Sequence, residues 1–321
     1  MARILTLTLN PALDLAIRLG PIRLGEVNRT ESTRLDAAGK GINVARVLRD
    51  LGHDVTVSGL LGADNETAFV RAFARYGLHD AFVRIPGESR INAKLSEPDG
   101  RVTDLNGPGP LIPAHALDML SVRLGPLLPG IEAVVISGSL PPNMTPAQLA
   151  SLITRIRERE MPVWLDTSGP ALLAGLAVRP TGVKPNETEL ADWAGHPLDT
   201  PDARLQAALR LNAEGIEDVL VSSGAEGVIW AQRGDALMAE SPRVSVVSTV
   251  GAGDTLLAGA LHGVLTGWPR ERTLRFATAL AAESVRHIGV GDPSAGDLDM
   301  LQAQTAVRSL TEQPLTGETH R

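Results

Sequence analysis

Ser248-Thr249-Val250-Gly251-Ala252-Gly253-Asp254-Thr255 decides how this chain is read. It lies between a β-branched run, Val244 to Val247, and an apolar run of helical character, Leu256 to Leu265. The order predicts a strand, a turn of small residues and a helix opening on glycines. Backbone N–H groups in the first turn of a helix have no intrahelical partner, and the helix dipole favours an anion there. Gly251 and Gly253 let such an anion approach the backbone closely. Asp254 adds a negative charge at the same end, which suits simple anion storage poorly. It suits a carboxylate that takes a proton from a hydroxyl while the amides of Gly251, Ala252 and Gly253 stabilise a phosphoryl group in transfer. An ordinary N-cap accounts for the same letters, since Asp is common at helix starts and Gly-x-Gly alone is weak.

Working outward, strand and helix signals alternate. Strands are predicted over Arg3 to Leu9, Asp54 to Leu61, Ala133 to Ser137, Pro162 to Asp166, Gly182 to Lys184 and Val219 to Ser222. Helices are predicted over Gly41 to Leu51, Glu66 to Arg75, Pro146 to Arg159, Ala203 to Glu214 and Arg272 to Ile288. Several strands are short continuous apolar runs, the pattern of a mainly parallel sheet covered on both faces. Residues 13–36 and 88–106 break the rhythm. They are more polar and have no helix between their strand-like pieces, and they read as a small antiparallel sheet forming a lid; two long surface loops are the plainer reading. Residues 1–308 are expected to form one domain, with 309–321 as a polar, frayed tail.

The chain has 321 residues, 43% of them hydrophobic, enough for a large core. Net charge is −7 and no Lys/Arg tract is present, which argues against nucleic acid or an anionic membrane as partner. Cysteine is absent, excluding disulfides, thiol catalysis and Cys-ligated zinc. That fits a cytoplasmic location. The first ten residues lack the apolar core of a signal peptide, and no apolar run approaches bilayer length. His53, His79, His115, His196, His262 and His287 are scattered without metal-ligand spacing.

Four further stretches carry chemistry. Gly39-Lys40-Gly41-Ile42-Asn43 sets a lysine at the mouth of a helix, suited to a sugar or phosphate, or simply a glycine-capped helix start. Lys184-Pro185-Asn186-Glu187-Thr188-Glu189 places Asn186 and Glu189 three apart, either organising water around Mg²⁺ or forming a capping box. Val219 to Gly227 runs a strand into a Gly-x-x-Gly turn that lies against a nucleotide or closes a hairpin with Val228-Ile229-Trp230. Asp14 follows the first strand, and Arg90-Ile91-Asn92 sits in the expected lid. Ligands in open α/β sheets bind beyond the carboxyl ends of strands, where Asp14, Ser137, Lys184, Ser222 and Asp254 all fall.

Taken in order, these motifs resemble the PfkB (ribokinase-like) carbohydrate kinases over nearly the whole chain. Thr249-Val250-Gly251-Ala252-Gly253-Asp254 is similar to the family's C-terminal signature and Gly39-Lys40-Gly41-x-Asn43-x-Ala45 to its N-terminal one. Thr8 to Asp14, Ser137-Gly138-Ser139-Leu140-Pro141, Gly25-Glu26-Val27-Asn28 and Arg90-Ile91-Asn92 resemble its hexose-phosphate branch, especially members acting on fructose 1-phosphate. Val27 and Asn28 lack the lysine expected of members acting on fructose 6-phosphate. The resemblance implies a three-layer αβα sandwich with a β-sheet lid, a homodimer formed through the lid, fructose 1-phosphate as acceptor and ATP with Mg²⁺ as donor. It implies Asp254 as base and Gly251, Ala252 and Gly253 as anion hole. Asp14, Gly39, Lys40, Asn43, Arg90, Asn92 and Ser139 would bind the acceptor. Lys184, Asn186, Ser222, Gly224, Glu226, Gly227 and Thr249 would bind ATP, with Asn186 and Glu189 holding Mg²⁺ through water. Tagatose 6-phosphate, fructose 6-phosphate, an unphosphorylated sugar, and a non-catalytic sugar-phosphate sensor stay open as alternatives.

Overall fold

The computed structural model describes residues 1–310. The tail expected over 309–321 lies almost wholly outside the described residues, and Ser309 ends a strand.

The main sheet is built from β1 (Arg3–Thr8), β4 (Asp54–Gly62), β5 (His79–Asp80), β6 (Val83–Ile85), β9 (Ala133–Ser137), β10 (Val163–Asp166), β11 (Gly182–Val183), β12 (Asp218–Ser222), β13 (Val228–Gln232), β14 (Asp235–Ala239) and β15 (Val307–Ser309). Its order is β15-β14-β13-β12-β11-β10-β9-β1-β4-β5, with β6 also on β4. From β12 to β5 the pairings are parallel, whereas β13, β14 and β15 continue antiparallel.

Period-two alternation splits these strands between two cores. Leu5, Leu7, Val134, Ile136, Leu165, Val219 and Val221 face one core. Helices α3 (Ala116–Leu124), α4 (Pro146–Arg157), α5 (Gly169–Ala177), α6 (Glu187–Ala194) and α7 (Pro201–Ala213) cover it. Ile4, Val55, Val57, Ala133, Val135, Trp164 and Leu220 face the other. There α1 (Lys40–Asp50), α2 (Thr67–Tyr76), α8 (Ala252–Leu265), α9 (Arg270–Ser284) and α10 (Leu298–Gln304) pack. The result is the three-layer αβα sandwich the alternation implied. Helix starts follow their local chemistry: Thr145 and Thr200 cap α4 and α7 with side-chain acceptors, each followed by proline.

A second sheet stands on this body in the order β3-β2-β7-β8, with β2 (Ala12–Leu19), β3 (Thr30–Ala38), β7 (Arg90–Ser96) and β8 (Val102–Asn106). It was expected to be antiparallel, but its central pair, β2 with β7, is parallel. The reason is topological. The chain leaves the lid after β3, builds α1 to β6 in the body and re-enters the lid from the same side. Even-numbered residues such as Asp14, Arg90 and Asn92 face the cleft, while Leu15, Leu35, Ile91 and Leu105 share the opposite face.

One expected strand is absent. Val244 to Val247 is extended chain without a sheet partner, with Val246 and Val247 exposed. The amides of Val247 and Ser248 both donate to the Val285 carbonyl, at 2.7 and 3.1 Å. The β-branched letters suit a strand, but β14 and β15 already complete that end of the sheet.

Candidate active site

Helix α8 begins as the octet foretold. Gly251 is its N-cap with φ 87°, a left-handed conformation, and a Cβ there would lie 2.6 Å from the Gly289 carbonyl oxygen. Both facts call for glycine. The amides of Gly251, Gly253 and Asp254 have no acceptor among the described residues, whereas that of Ala252 donates to the Thr249 carbonyl at 3.3 Å. The amides left open at the helix head are therefore those of residues 251, 253 and 254.

Asp254 is buried, 4% exposed, yet it lines a cleft of about 910 Å³. Its Oδ2 accepts from Asn43 Nδ2 at 2.8 Å. Burial pushes its carboxyl up to about 6, and the Asp166 carboxylate adds to the rise. Lys40, Asn43 and Lys184 pull the other way. A carboxyl poised near neutral pH is matched to removing a proton from an alcohol.

Asp166, at the carboxyl end of β10, is the part that sequence reasoning missed. It is 1% exposed, and its Oδ1 lies 3.4 Å from both Lys40 Nζ and Lys184 Nζ. Ser137 donates to its other oxygen at 3.3 Å. Burial alone would raise its carboxyl, but the two ammoniums hold it below the usual range. An aspartate closing an apolar strand at the ligand edge of an open sheet was the available signal. Lys184 stands beside the head of α8: a Cβ at Gly253 would lie 3.1 Å from its Nζ.

The lid closes one end of the cleft. Asn92 Nδ2 donates to Asp14 Oδ1 at 3.0 Å, and Arg90 Nη1 reaches the Gly107 carbonyl at 3.4 Å. Burial raises the Asp14 carboxyl, with the Asn92 hydrogen bond opposing it. At the other end, Asn186 caps α6. It accepts from the Glu189 amide at 2.8 Å, and Glu189 Oε2 accepts from the Asn186 amide at 2.9 Å. The capping-box reading of these two residues is what the structure contains. Glu189 Oε1 has no partner among the described residues and lines the cleft. Ser222 and Asn186 form an isolated bridge, and Gly224 and Gly227 edge the same end as the turn of the β12–β13 hairpin.

Two expected site residues stay outside the cleft. Ser139 accepts from Asn10 Nδ2 at 3.4 Å, tying neighbouring loops. Glu226 turns away to Arg204 on α7, at 2.5 Å, because that guanidinium is itself buried and needs a counter-charge. Gly39, Lys40, Asn43, Lys184 and Thr249 line the cleft with the residues already named. Arg243, Val244 and Val246 line it too, and the misread strand hid the two valines.

Among the described residues, no group of three or more His, Asp or Glu side chains could hold a metal alone, and no helix is long and apolar enough to cross a membrane.

The model of the pfkB family carbohydrate kinases matches residues 7–295. The chain is 43% identical over 308 residues to a protein of Vibrio cholerae named 1-phosphofructokinase, covering 96% of this chain and 97% of that one. It is 44% identical over 290 residues to the Escherichia coli protein of the same name, covering 90% and 93%. Among solved structures, phosphofructokinase-2 from Escherichia coli in complex with fructose-6-phosphate superposes with TM-score 0.85 at 28% identity, over 94% of this chain and 99% of that one. A possible 1-phosphofructokinase from Thermotoga maritima gives 0.84 at 26% identity, over 96% and 100%. With a matching model across most of its length and relatives above 40% identity, the chain belongs to the pfkB family of carbohydrate kinases.

Proposed function

We propose that this kinase transfers the γ-phosphoryl group of ATP to the 6-hydroxyl of D-fructose 1-phosphate, giving fructose 1,6-bisphosphate and ADP. The observation that carries the chemistry is Asp254, a buried carboxyl raised to about 6 beside unpaired amides at a helix head. The relatives named 1-phosphofructokinase support the choice of acceptor.

Asp254 takes the hydroxyl proton as the oxygen attacks the γ-phosphorus, and the bond to the β-phosphate oxygen breaks to release ADP. The amides of Gly251, Gly253 and Asp254 face the charge on the transferring group. Asp14 and Asn92 hold sugar hydroxyls, and Lys40 and Arg90 face the phosphate the sugar already carries. Lys184 balances the donor's phosphates, with Ser222, Gly224, Gly227 and Thr249 along the nucleotide.

Mg²⁺ fits this donor set in one way: Glu189 keeps a free oxygen toward the cleft, enough to hold waters of an ion bound mainly by phosphates. Such an ion neutralises phosphate charge. An enzyme using ATP and a sugar phosphate belongs in the cytoplasm, where both are held. The apolar outer lid face, with Leu35, Ile91 and Leu105 between 44 and 57% exposed, supports pairing of two lids in a homodimer.

The test is ADP release measured with fructose 1-phosphate, fructose 6-phosphate and tagatose 6-phosphate. The expected result is the highest kcat/KM with fructose 1-phosphate; an equal or higher value with either 6-phosphate overturns the assignment.

A further inference from the structure

The sequence marked Glu226 for the donor's site, yet its side chain points away from the cleft, to Arg204 on α7. That contact is one arm of a three-way junction. Arg204 is 4% exposed, and each of its guanidinium nitrogens has a different partner. Nε donates to the carbonyl of Thr200, the cap of α7, at 3.3 Å. Nη1 lies 3.5 Å from Oε2 of Glu187, the first residue of α6. Nη2 donates to Glu226 Oε2 in the turn of the β12–β13 hairpin. The planar fork of an arginine serves three directions at once, whereas a lysine ammonium is a single compact charge.

The two segments that Arg204 grips both edge the cleft, and each is lightly held by its own packing. Gly224-Ala225-Glu226-Gly227 has one side chain able to make a polar contact, Glu226, and its two glycines take φ of 49 and 110°. Ser222, Gly224, Ala225 and Gly227 line the cleft. Helix α6 has eight residues and fully buries only Leu190. So short a helix depends on tertiary contacts for its place. Its cap Asn186 and its Glu189 line the cleft beside the turn. The two backbones meet where the Ser222 amide donates to the Pro185 carbonyl at 3.1 Å. Past that rung, Arg204 spans them from outside the cleft.

Resting on the assignment of ATP as donor, we propose that Arg204 is a positioning residue for the nucleotide. Through Glu226 and Glu187 it holds the 224–227 turn and the head of α6 in fixed relation, so ATP meets a preformed edge without touching Arg204. A donor that finds this edge ordered loses no affinity to ordering it.

Arg204→Met keeps an apolar stem in the buried site and leaves Glu187 and Glu226, 50 and 61% exposed, to water. The readouts are kcat, the KM values for ATP and fructose 1-phosphate, and the Kd of a fluorescent ATP analogue with Mg²⁺ and no acceptor. The KM for ATP and the Kd are expected to rise about tenfold, with the KM for the sugar phosphate within about twofold of the parent. Glu226→Ala is expected to raise the same two values about threefold, since Glu187 still engages Arg204. The double variant is expected to be no worse than Arg204→Met alone, because both changes break one contact. Arg204→Lys is expected to fall between Arg204→Met and the parent.

Unchanged ATP values in the single variants, equal rises in both KM values, or additive losses in the double variant overturn the inference. If Arg204→Met does not fold, Glu226→Ala decides, and an unchanged Kd there overturns it. If fructose 1-phosphate does not turn over, the acceptor assignment fails and the Kd series still decides the role of Arg204. A parent enzyme that does not bind the analogue overturns both.

Discussion

Asp254 depends on two neighbours that act on it in opposite directions. Asn43 donates to its carboxylate and favours ionisation, whereas Asp166 disfavours it. Because a base must be ionised, kcat/KM is expected to fall as pH drops through about 6. Asn43→Leu is expected to move that break upward and Asp166→Asn to move it downward; shifts of the same sign in a pH–rate profile would contradict the arrangement. Asp254→Asn is expected to lower kcat by about 10²–10⁴-fold with little change in the KM for the sugar phosphate. Turnover close to the parent enzyme would remove Asp254 from the base role. Asp166→Asn also leaves Lys40 and Lys184 without their shared counter-charge. Removing one partner of a buried pair costs about 3–5 kcal/mol, and the half-exposed Lys40 puts this case near the lower bound, readable by urea unfolding. Asp254 was legible in the sequence because a strand-turn-helix pattern surrounds it. Asp166 was not, since its meaning depends on Lys40, 126 residues away, and a lone aspartate after Val163-Trp164-Leu165 looks like any strand end.

Among the elements, α8 and α9 are held unusually close. A Cβ at Gly259 would lie 2.9 Å from the Ala277 Cα, so Gly259→Val is expected to destabilise the fold by about 1–3 kcal/mol. Wild-type stability in that variant would show that the helices separate at no cost. Helix α8 also carries His262, whose Nδ1 lies 2.8 Å from His53 Nε2; the Ala2 amide donates to His53 Nδ1 at 3.2 Å. His53 Nδ1 is thereby an acceptor, His53 Nε2 carries the proton, and His262 Nδ1 receives it. The two histidines, read as scattered, form a neutral pair. Burial, with His53 adding, lowers His262 to about 4, below the 6.5 of the unfolded chain. The unfolded state therefore binds more protons between those values. The pair's contribution is full above about pH 6.5 and is lost as pH falls toward about 4. Unfolding measured at pH 7.5, 6 and 5 is expected to show a shallower acid decline for His262→Leu than for the parent; identical slopes would dismiss the pair as an acid-sensitive contact. Ala133 to Ser137 was readable to the residue because its five side chains are buried on both faces. Val244 to Val247 was misread for a related reason: β-branched residues line a ligand cleft as readily as they fill a strand.

At the scale of the whole molecule, the sandwich followed from alternating strand and helix signals, while the lid's order did not. Asp14 and Asn92 meet across 78 residues, and no local pattern announces that β2 and β7 run parallel. The exposed lid face predicts its own test. Leu105→Asp is expected to convert a dimer to monomers in sedimentation velocity, and a monomeric parent protein would dispose of lid pairing. The lid's attachment has one more effect. Ala12, Ala38 and Arg90 stand in register on the rung nearest the body, so the tethers of three strands lie along one line. Asp14 sits two residues beyond it, about 7 Å at about 3.3 Å per residue, whereas the tip of β2 at Leu19 lies seven residues beyond it, about 23 Å. Swung about that line, the sheet behaves as a lever with its working groups beside the fulcrum. The rim then travels about three and a half times as far as Asp14, so a swing that opens the mouth of the cleft widely displaces Asp14 and Asn92 little.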